Sequence, residues 1–307
     1  MTRQRACFFV LRLIPYALLL FIECCAPQAP PFDGQTAYDE LLKQCSFGPR
    51  NPGGNGHRAC GEYLQSRLRE SVDQVEVQRF WHRDPRANPG DFLEFTNYIG
   101  IVNPKEERRV LLAAHWDTRP RADRDPDSAN REKPILGAND GASGVAVLLQ
   151  LAKMFKKQRP KVGVDIVFFD GEDFGREGEL NEYFLGSQFF AGKLGSYRPE
   201  YGILLDMIGD RDLAIPLESN SLRAAPQVME KIWKAARLLR VEAFRQERGM
   251  AIADDHLPLL AAGIPMVDLI DFDYSFWHTL KDTPEATSPG SLAAVGRVVA
   301  QVVYSER

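Results

Sequence analysis

The sequence of 307 residues is poor in cysteine and has no excess of positive charge. Its five cysteines form no Cys-x-x-Cys pair, which excludes a cysteine-based zinc site and thioredoxin-type chemistry. Because 42 acidic residues outnumber 38 lysines and arginines, nothing in the composition indicates a nucleic-acid partner. With 44% hydrophobic and 26% charged residues, the chain instead has the composition of a folded globular protein.

Long apolar runs are also scarce, and the clearest one lies at the N-terminus. Residues 7–22 are apolar except for Arg12 and follow a short basic segment, which is typical of a secretory signal peptide. Cys24 or Cys25, directly after this run, is a candidate site of lipidation; an uncleaved N-terminal anchor is the alternative. We therefore expect residues 1–30 to be an export signal and tether, with the remainder in the periplasm or cell envelope. Any contact with a membrane would be made through this N-terminal lipid or anchor.

Two cysteines remain in the body of the chain, one on each side of the turn-rich segment 47–56. In an oxidising compartment Cys45 and Cys60 are candidates for a disulfide bond. Two unpaired, buried thiols are the alternative.

Apolar segments alternate with helical patterns along the rest of the chain. Continuous apolar runs, typical of strands buried on both faces, alternate with amphipathic stretches that repeat every three to four residues. The predicted strands are residues 74–81, 95–102, 110–114, 164–169, 201–205 and 264–270; the predicted helices lie within 37–73 and at 144–155, 226–239 and 289–304. This order predicts an α/β fold, a three-layer αβα sandwich with a largely parallel, mixed central sheet.

Acidic residues and histidines collect where the predicted strands end. In an open α/β sheet, ligands bind beyond the carboxyl ends of the strands, so these side chains are expected at one edge. Each residue alone could be a helix cap, a turn former or a buried histidine, but together they form the nitrogen and oxygen ligand set that suits zinc. The residues are His115, Asp117, Glu172, Asp173, Asp206 and His278, with Asp140 in the glycine-rich turn 137–144.

The order of these motifs resembles that of the zinc aminopeptidase-like metallopeptidases. Within that class it is closer to the glutaminyl-peptide cyclotransferases of animals and their bacterial relatives. The resemblance runs from about residue 40 to the C-terminus. It is carried most specifically by Leu-Leu-Asp-Met-Ile-Gly at 204–209, Asp-Asp-His-Leu-Pro at 254–258 and Trp-His-Thr at 277–279. It implies that residues 31–307 form one zinc-dependent catalytic domain, which cyclises the N-terminal glutamine of peptides or proteins to pyroglutamate and releases ammonia.

The resemblance also implies a role for individual residues. One Zn²⁺ would be bound by Asp140, Asp173 and His278, and Glu172 would be the catalytic carboxylate, supported by Asp206 and Asp254. Trp277, Ile270 and Tyr183 would line the substrate pocket. Two positions depart from the animal enzymes: Asp173 replaces a glutamate, and residues 174–184 do not reproduce the aromatic residue of their loop, so that Tyr183 or Phe184 is expected to take its place.

Two other functions use the same residues. In a two-zinc aminopeptidase His115 and Asp206 would bind a second metal, Asp140 would bridge, and Glu172 would activate water. All these ligand types are present, so the sequence leaves one zinc or two open. A non-catalytic surface lipoprotein that binds peptide N-termini is the third hypothesis, but it would be expected to have lost part of the acid–base set, which is intact here.

Several other charged residues are predicted to have structural and not catalytic roles. Arg119, Arg121 and Arg124 alternate with aspartates and predict a solvated, salt-bridged loop; because this loop follows Asp117, the rim of the cleft is the alternative position. His57 and His82 are predicted at the surface. Asp117 is predicted to orient a neighbouring histidine or arginine, and Asp255 and His256 to begin a helix or support their neighbours.

Overall fold

The computed structural model describes residues 28–307 except 86, 87 and 89. The predicted signal peptide, with Cys24 and Cys25, lies outside the described residues. The strands are β1 Gln74–His82, β2 Leu93–Val102, β3 Arg109–His115, β4 Gly163–Phe169, β5 Tyr201–Asp206, β6 Ile215–Leu217, β7 Phe244–Arg248 and β8 Met266–Ile270. The helices are α1 Gly34–Cys45, α2 Asn55–Ser71, α3 Ala142–Lys157, α4 Leu185–Ala191, α5 Ser219–Ala224, α6 Pro226–Leu239, α7 His256–Ala261 and α8 Pro289–Ser305. Among the described helices, none is long and apolar enough to cross a membrane.

Six strands form the central sheet, in the order β1-β2-β4-β3-β5-β8. The strands β4, β3, β5 and β8 are mutually parallel, whereas β1 and β2 run antiparallel at one edge. The register pairs His115 with Phe169 and Asp206 with Ile270, so the parallel strands end at nearly the same level. The loops that follow these strands therefore meet at one edge of the sheet.

Helices cover both faces of the sheet. Alternate residues of β3 show this: Leu112 and Ala114 pack into a large apolar cluster with α1, α3 and α8, whereas Leu111 and Ala113 pack into a second cluster with α4 and α7. A strand buried on both faces has no polar alternation, which is why β3 and β4 appear in the sequence as continuous apolar runs. The predicted three-layer αβα sandwich with a mixed, largely parallel sheet is confirmed.

The two body cysteines are free thiols, so the expected disulfide is not present. Cys45 ends α1 and Cys60 lies in α2, and both side chains are packed inside the apolar core. Burial raises the pKa of Cys45 to about 11 and that of Cys60 to about 12, so neither is a reactive thiolate near neutral pH. The alternative of two buried thiols matches the structure.

Candidate active site

A cavity of about 380 Å³ lies beyond the carboxyl ends of the central strands. All the predicted site residues except His115 and Asp117 line it, although they come from separate segments of the chain. Its acidic floor consists of Asp140, Glu172, Asp173, Asp206 and Asp254, together with His278. Its wall includes the three predicted substrate-binding residues, Trp277, Ile270 and Tyr183. A concave site with convergent polar groups and an apolar wall is the usual form of a small-molecule site.

Three side chains in the floor are arranged to hold a metal ion. Asp140, Asp173 and His278 each offer one ligand atom, and these atoms lie within 4.8 Å of one another. His278 Nε2 lies 3.3 Å from Asp173 Oδ2 and 3.6 Å from Asp140 Oδ2. Tetrahedral ligands bonded to Zn²⁺ at 2.0–2.1 Å are separated by about 3.3–3.4 Å. Both carboxylate oxygens are buried without a hydrogen-bond partner, so the group fits a zinc ion.

The electrostatics of this group also favour a cation. Although burial opposes the charged forms, Asp173 and Asp123 raise the pKa of His278 to about 9. In turn, the positive charges of His278 and Arg119 outweigh burial and lower the pKa of Asp173 to about 2. The carboxylates thus stabilise a positive charge at their centre, which a proton on His278 or a metal ion can supply.

A second possible ligand group lies deeper and shares Asp140 with the first. His115 Nε2 is 3.1 Å from Asp206 Oδ1 and 3.2 Å from Asp140 Oδ1, and His115 is 1% exposed. Burial disfavours the imidazolium, but Asp117, Asp140 and Asp206 outweigh it and raise the pKa of His115 well above its usual value. A proton on His115 or a second metal would balance the negative charge here.

Glu172 lies beside the first ligand group but belongs to neither group. Its backbone N–H donates to Asp117 Oδ1 at 3.1 Å, and the N–H of Asp173 donates to Asp117 Oδ2 at 3.4 Å. Burial, and then the charge of Asp173, raise the pKa of Glu172 well above its usual range. Asp117 therefore orients the backbone that carries Glu172 and Asp173. Its Oδ1 also lies 3.6 Å from His115 Nδ1, within ion-pair distance, so the histidine that it was predicted to orient is its neighbour.

A buried cluster of two aspartates and a histidine extends from Asp254 of the floor into the interior. Asp254, His256 and Asp268 place ligand-type atoms within 4.8 Å of one another, and all three side chains are essentially inaccessible. Neither oxygen of Asp268 has a hydrogen-bond partner. Burial, and then Asp254, raise the pKa of Asp268 well above its usual value, which is consistent with a protonated carboxyl. His256 is the first residue of α7, as predicted.

Backbone geometry fixes where the site residues lie. His278 has a left-handed φ of 55°. Two other non-glycine residues that line the cavity, Phe184 and Met207, share this rare conformation. The turn that carries Asp140 is held by Asp282, whose carboxylate accepts the N–H groups of Asn139 and Asp140 at 2.8 and 3.1 Å. Such strained backbone is concentrated at functional sites.

Sequence reasoning missed the supporting role of Arg119. Its side chain is buried, not solvated, and donates to Asp173 Oδ1 at 2.6 Å, to both oxygens of Asp123 at 2.9 and 2.6 Å, and to Tyr183 Oη at 3.0 Å. Asp123 Oδ1 lies 3.5 Å from His278 Nδ1. Arg119 thus occupies one oxygen of Asp173 and leaves the other facing His278. Arg121 is also buried, whereas Arg124 is exposed as predicted.

The predicted surface position of His57 was wrong as well. Its ring stacks on Trp116 with centroids 4.3 Å apart, and its Nε2 lies 2.9 Å from Asp170 Oδ1. Asp170 lies two residues before Glu172, so this buried pair helps to fix the segment that carries Glu172. His82 is half-buried and lies 2.6 Å from Glu182.

Comparisons with known proteins identify the relatives of this chain. Residues 97–303 match the model of peptidase family M28. The glutaminyl-peptide cyclotransferase of Bos taurus is 28% identical over 273 residues, covering 77% of this chain and 72% of that protein. A Bacteroides thetaiotaomicron glutaminyl cyclase bound to N-acetylhistamine is 39% identical with a TM-score of 0.86, covering 91% of this chain and 100% of that one. A leucine aminopeptidase precursor from the same organism gives the same identity and TM-score, with coverage of 91% and 99%.

The family match extends over more than half of the 307 residues and includes every predicted metal ligand. The resemblance to glutaminyl-peptide cyclotransferases within a zinc aminopeptidase-like fold is confirmed by these relatives. The chain belongs to peptidase family M28.

Proposed function

We propose that this protein is a glutaminyl cyclase that binds one zinc ion through Asp140, Asp173 and His278. The observation that carries the proposal is a carboxylate that binds no metal, Glu172, placed beside that ligand group in a cavity with an apolar wall. The related cyclases from Bos taurus and Bacteroides thetaiotaomicron support the same reaction. The substrates are peptides or proteins with an N-terminal glutamine.

In the reaction the α-amine nitrogen bonds to the side-chain amide carbon, and the bond from that carbon to the amide nitrogen breaks. The amine loses a proton and the departing nitrogen gains one, so the products are a pyroglutamyl peptide and ammonia. Because both reacting groups belong to one residue, holding the side chain folded supplies much of the rate enhancement. When bound, zinc would polarise the amide carbonyl and stabilise the negative charge that develops on its oxygen.

Glu172 carries the proton between the two nitrogens. It faces the cavity, whereas its backbone is held by Asp117, so the carboxylate is fixed close to the ligand group. Asp206 and Asp254 also line the floor, and burial followed by the charge of Asp206 raises the pKa of Asp254 well above its usual range. Crowded carboxylates of this kind hold a shared proton near neutral pH, which suits a shuttle.

Trp277 forms the wall against which the glutamine side chain folds. Its ring centroid lies 3.9 Å from that of His278 and 4.9 Å from that of Phe272, and Ile270 lines the same cavity. An apolar wall beside the metal histidine restricts a short side chain to the folded conformation that ring closure needs.

A two-zinc aminopeptidase is the second candidate, because His115, Asp140 and Asp206 form a further ligand group. One experiment separates the two functions: zinc per chain is measured after dialysis, and Gln-β-naphthylamide and Leu-p-nitroanilide are offered side by side. A cyclase with one zinc releases ammonia from the first substrate and leaves the second intact. Two zincs with faster hydrolysis of the leucine substrate would establish the aminopeptidase.

The N-terminal pattern supports export of the protein to the periplasm or cell envelope, with lipidation at Cys24 or Cys25. Metabolic labelling of the full chain with a radioactive fatty acid, compared with a C24S/C25S variant, tests the lipid. If the variant still carries the label, neither Cys24 nor Cys25 is the site of lipidation.

A further inference from the structure

An open cavity of about 390 Å³ lies between the start of helix α2 and the sheet edge formed by β1 and β2. None of its lining residues lines the active-site cavity. Its floor is aromatic: His57 stacks on Trp116 with ring centroids 4.3 Å apart, and the Tyr98 ring centroid lies 5.7 Å from that of Trp116. All three residues are at most 9% exposed. The cyclisation reaction does not use this space, so its polar groups require a separate explanation.

The hydroxyl group of Tyr98 has no hydrogen-bond partner among the described residues, although Tyr98 is buried. It lies against Gly61 of α2, where a β-carbon would be 2.5 Å from Tyr98 Oη, so only glycine leaves room for it there. Buried polar groups in folded proteins are nearly always paired. The group that pairs with this hydroxyl must therefore enter through the cavity that Tyr98 lines.

His57 presents a second unpaired polar atom to the same cavity. Its Nε2 lies 2.9 and 3.0 Å from the two oxygens of Asp170, so this nitrogen carries the proton that Asp170 accepts. Within the described part of the chain, nothing bonds to its other nitrogen, Nδ1. Although burial opposes the charged ring, Asp170 raises the pKa of His57 above its usual value. This favours the imidazolium, in which Nδ1 is a hydrogen-bond donor.

The surroundings of these two donors tolerate a negative charge. Helix α2 begins beside the cavity, and its N-cap, Gly54, has no side chain to accept the first N–H groups of the helix. The positive end of the helix dipole favours an anion at this place. At the rim Arg79 and Glu94 pair at 3.3 Å, and the two other charged residues, Arg58 and Glu62, are of opposite sign. The rim therefore does not repel an anion, while the floor supplies donors.

We propose that this cavity binds a small aromatic carboxylate, separately from the peptide substrate. The carboxylate accepts hydrogen bonds from Tyr98 Oη and His57 Nδ1, and the ring of the ligand packs on the aromatic floor. His57 and Gly61, against which Tyr98 Oη lies, are four residues apart, which is about 6 Å along the helix. The two oxygens of one carboxylate bridge such a separation with hydrogen bonds of about 2.7–2.9 Å.

Three fluorinated probes test this inference by fluorine NMR titration of the purified protein. 4-Fluorobenzoate has both the ring and the carboxylate, 4-fluorobenzamide has the same shape without the charge, and fluoroacetate has the carboxylate without the ring. For the wild type we expect 4-fluorobenzoate to bind with a Kd of about 1 mM or tighter, a modest value for a ligand of this size. Each of the other two probes should bind at least about tenfold more weakly, because it lacks one of the two recognised groups.

Three variants locate the bound probe. Y98F removes the unpaired hydroxyl without breaking a hydrogen bond within the described part of the protein, so the fold should be unchanged. Y38F is the matched control, because the Tyr38 hydroxyl donates to the carbonyl of Pro284 at 3.0 Å and Tyr38 does not line this cavity. H278A removes a proposed zinc ligand and reports any binding of the probe at the metal site. Melting temperatures verify that all the proteins are folded.

Y98F should weaken the binding of 4-fluorobenzoate about tenfold, the effect of losing one hydrogen bond to a charged group, whereas Y38F and H278A should keep the wild-type Kd. Four results would overturn the proposal: no binding at millimolar concentrations, equal binding of the benzoate and the benzamide, an unchanged Kd in Y98F, or loss of binding in H278A. The last result would place the probe at the metal site instead.

Discussion

Replacing Glu172 by glutamine changes one group at the floor of the cavity and little else. The two side chains have the same shape, and Glu172 belongs to neither candidate ligand group, so zinc content should stay near the wild-type value. The amide cannot accept a proton from the amine of the substrate. The Glu172 side chain is only 12% exposed, so bulk water has limited access to replace it. We therefore expect kcat to fall by about 10²–10⁴, the usual contribution of a positioned general base.

That loss corresponds to about 2.7–5.4 kcal/mol in the activation free energy. The assay is ammonia release from Gln-β-naphthylamide across a range of pH, with zinc measured on the same samples. The residual activity of E172Q should lack the acidic limb of the wild-type pH profile, because the group that must be deprotonated is gone. Glu132, whose side chain is 78% exposed, provides the control E132Q, which should match the wild type.

Two results would refute this reasoning. If zinc is lost together with activity, Glu172 is a metal ligand and the assignment of Asp173 is wrong. If E172Q retains activity within tenfold of the wild type, another group carries the proton. Asp254 is then the next candidate, because it lines the same floor and its pKa is raised by burial and by Asp206.

The sequence was informative about the layers of the fold because parallel strands buried on both faces leave continuous apolar runs. The predicted bounds of β3 and β4 differ from the structure by one residue at each end or less. Short elements such as β6, with three residues, and α7, with six, are too brief to establish a period. Their positions depend on packing against the rest of the domain.

The supporting residues of the site were harder to predict for a different reason. Arg119 and Asp282 lie in charged, turn-rich segments that have the pattern of a solvated surface, and their partners are distant in sequence. Folding buries both residues because Arg119 contacts Asp173 and Asp282 contacts the turn at Asn139 and Asp140. Asp268 did leave a signal: a carboxylate within the predicted buried strand 264–270 requires a proton or a partner, and the structure places it against Asp254.

The remaining predictions concern metal content, pH dependence and specificity. We expect about one zinc per chain by atomic emission after dialysis, and H278A should lose it together with activity; two tightly bound zincs would exclude the single-metal site. Asp268 should make folding pH-dependent: its pKa is raised above the usual 3.8 in the folded state, so stability is full below that pH and falls as pH rises, by at most about 1.4 kcal/mol per pH unit. The free energy of unfolding, measured by urea at several pH values, should change less steeply with pH in D268N than in the wild type, by about one proton. If this pH dependence is unchanged in D268N, Asp268 is ionised in the folded protein. W277A should lose cyclase activity while W277F keeps part of it.

The Trp277 variants separate cyclisation from hydrolysis because both reactions would use the same metal ligands. The indole lies between His278 and Phe272, so the smaller side chain of W277A leaves a gap in the wall, whereas phenylalanine keeps an aromatic surface there. Zinc content and melting temperature must match the wild type, which excludes a purely structural loss. A pocket that hydrogen-bonds an amide rejects leucine, because its polar groups would stay unpaired. kcat/KM for the glutamine and leucine substrates is therefore compared in all three proteins. If the wild type hydrolyses the leucine substrate faster, or if W277A retains full cyclase activity, Trp277 only packs beneath its loop.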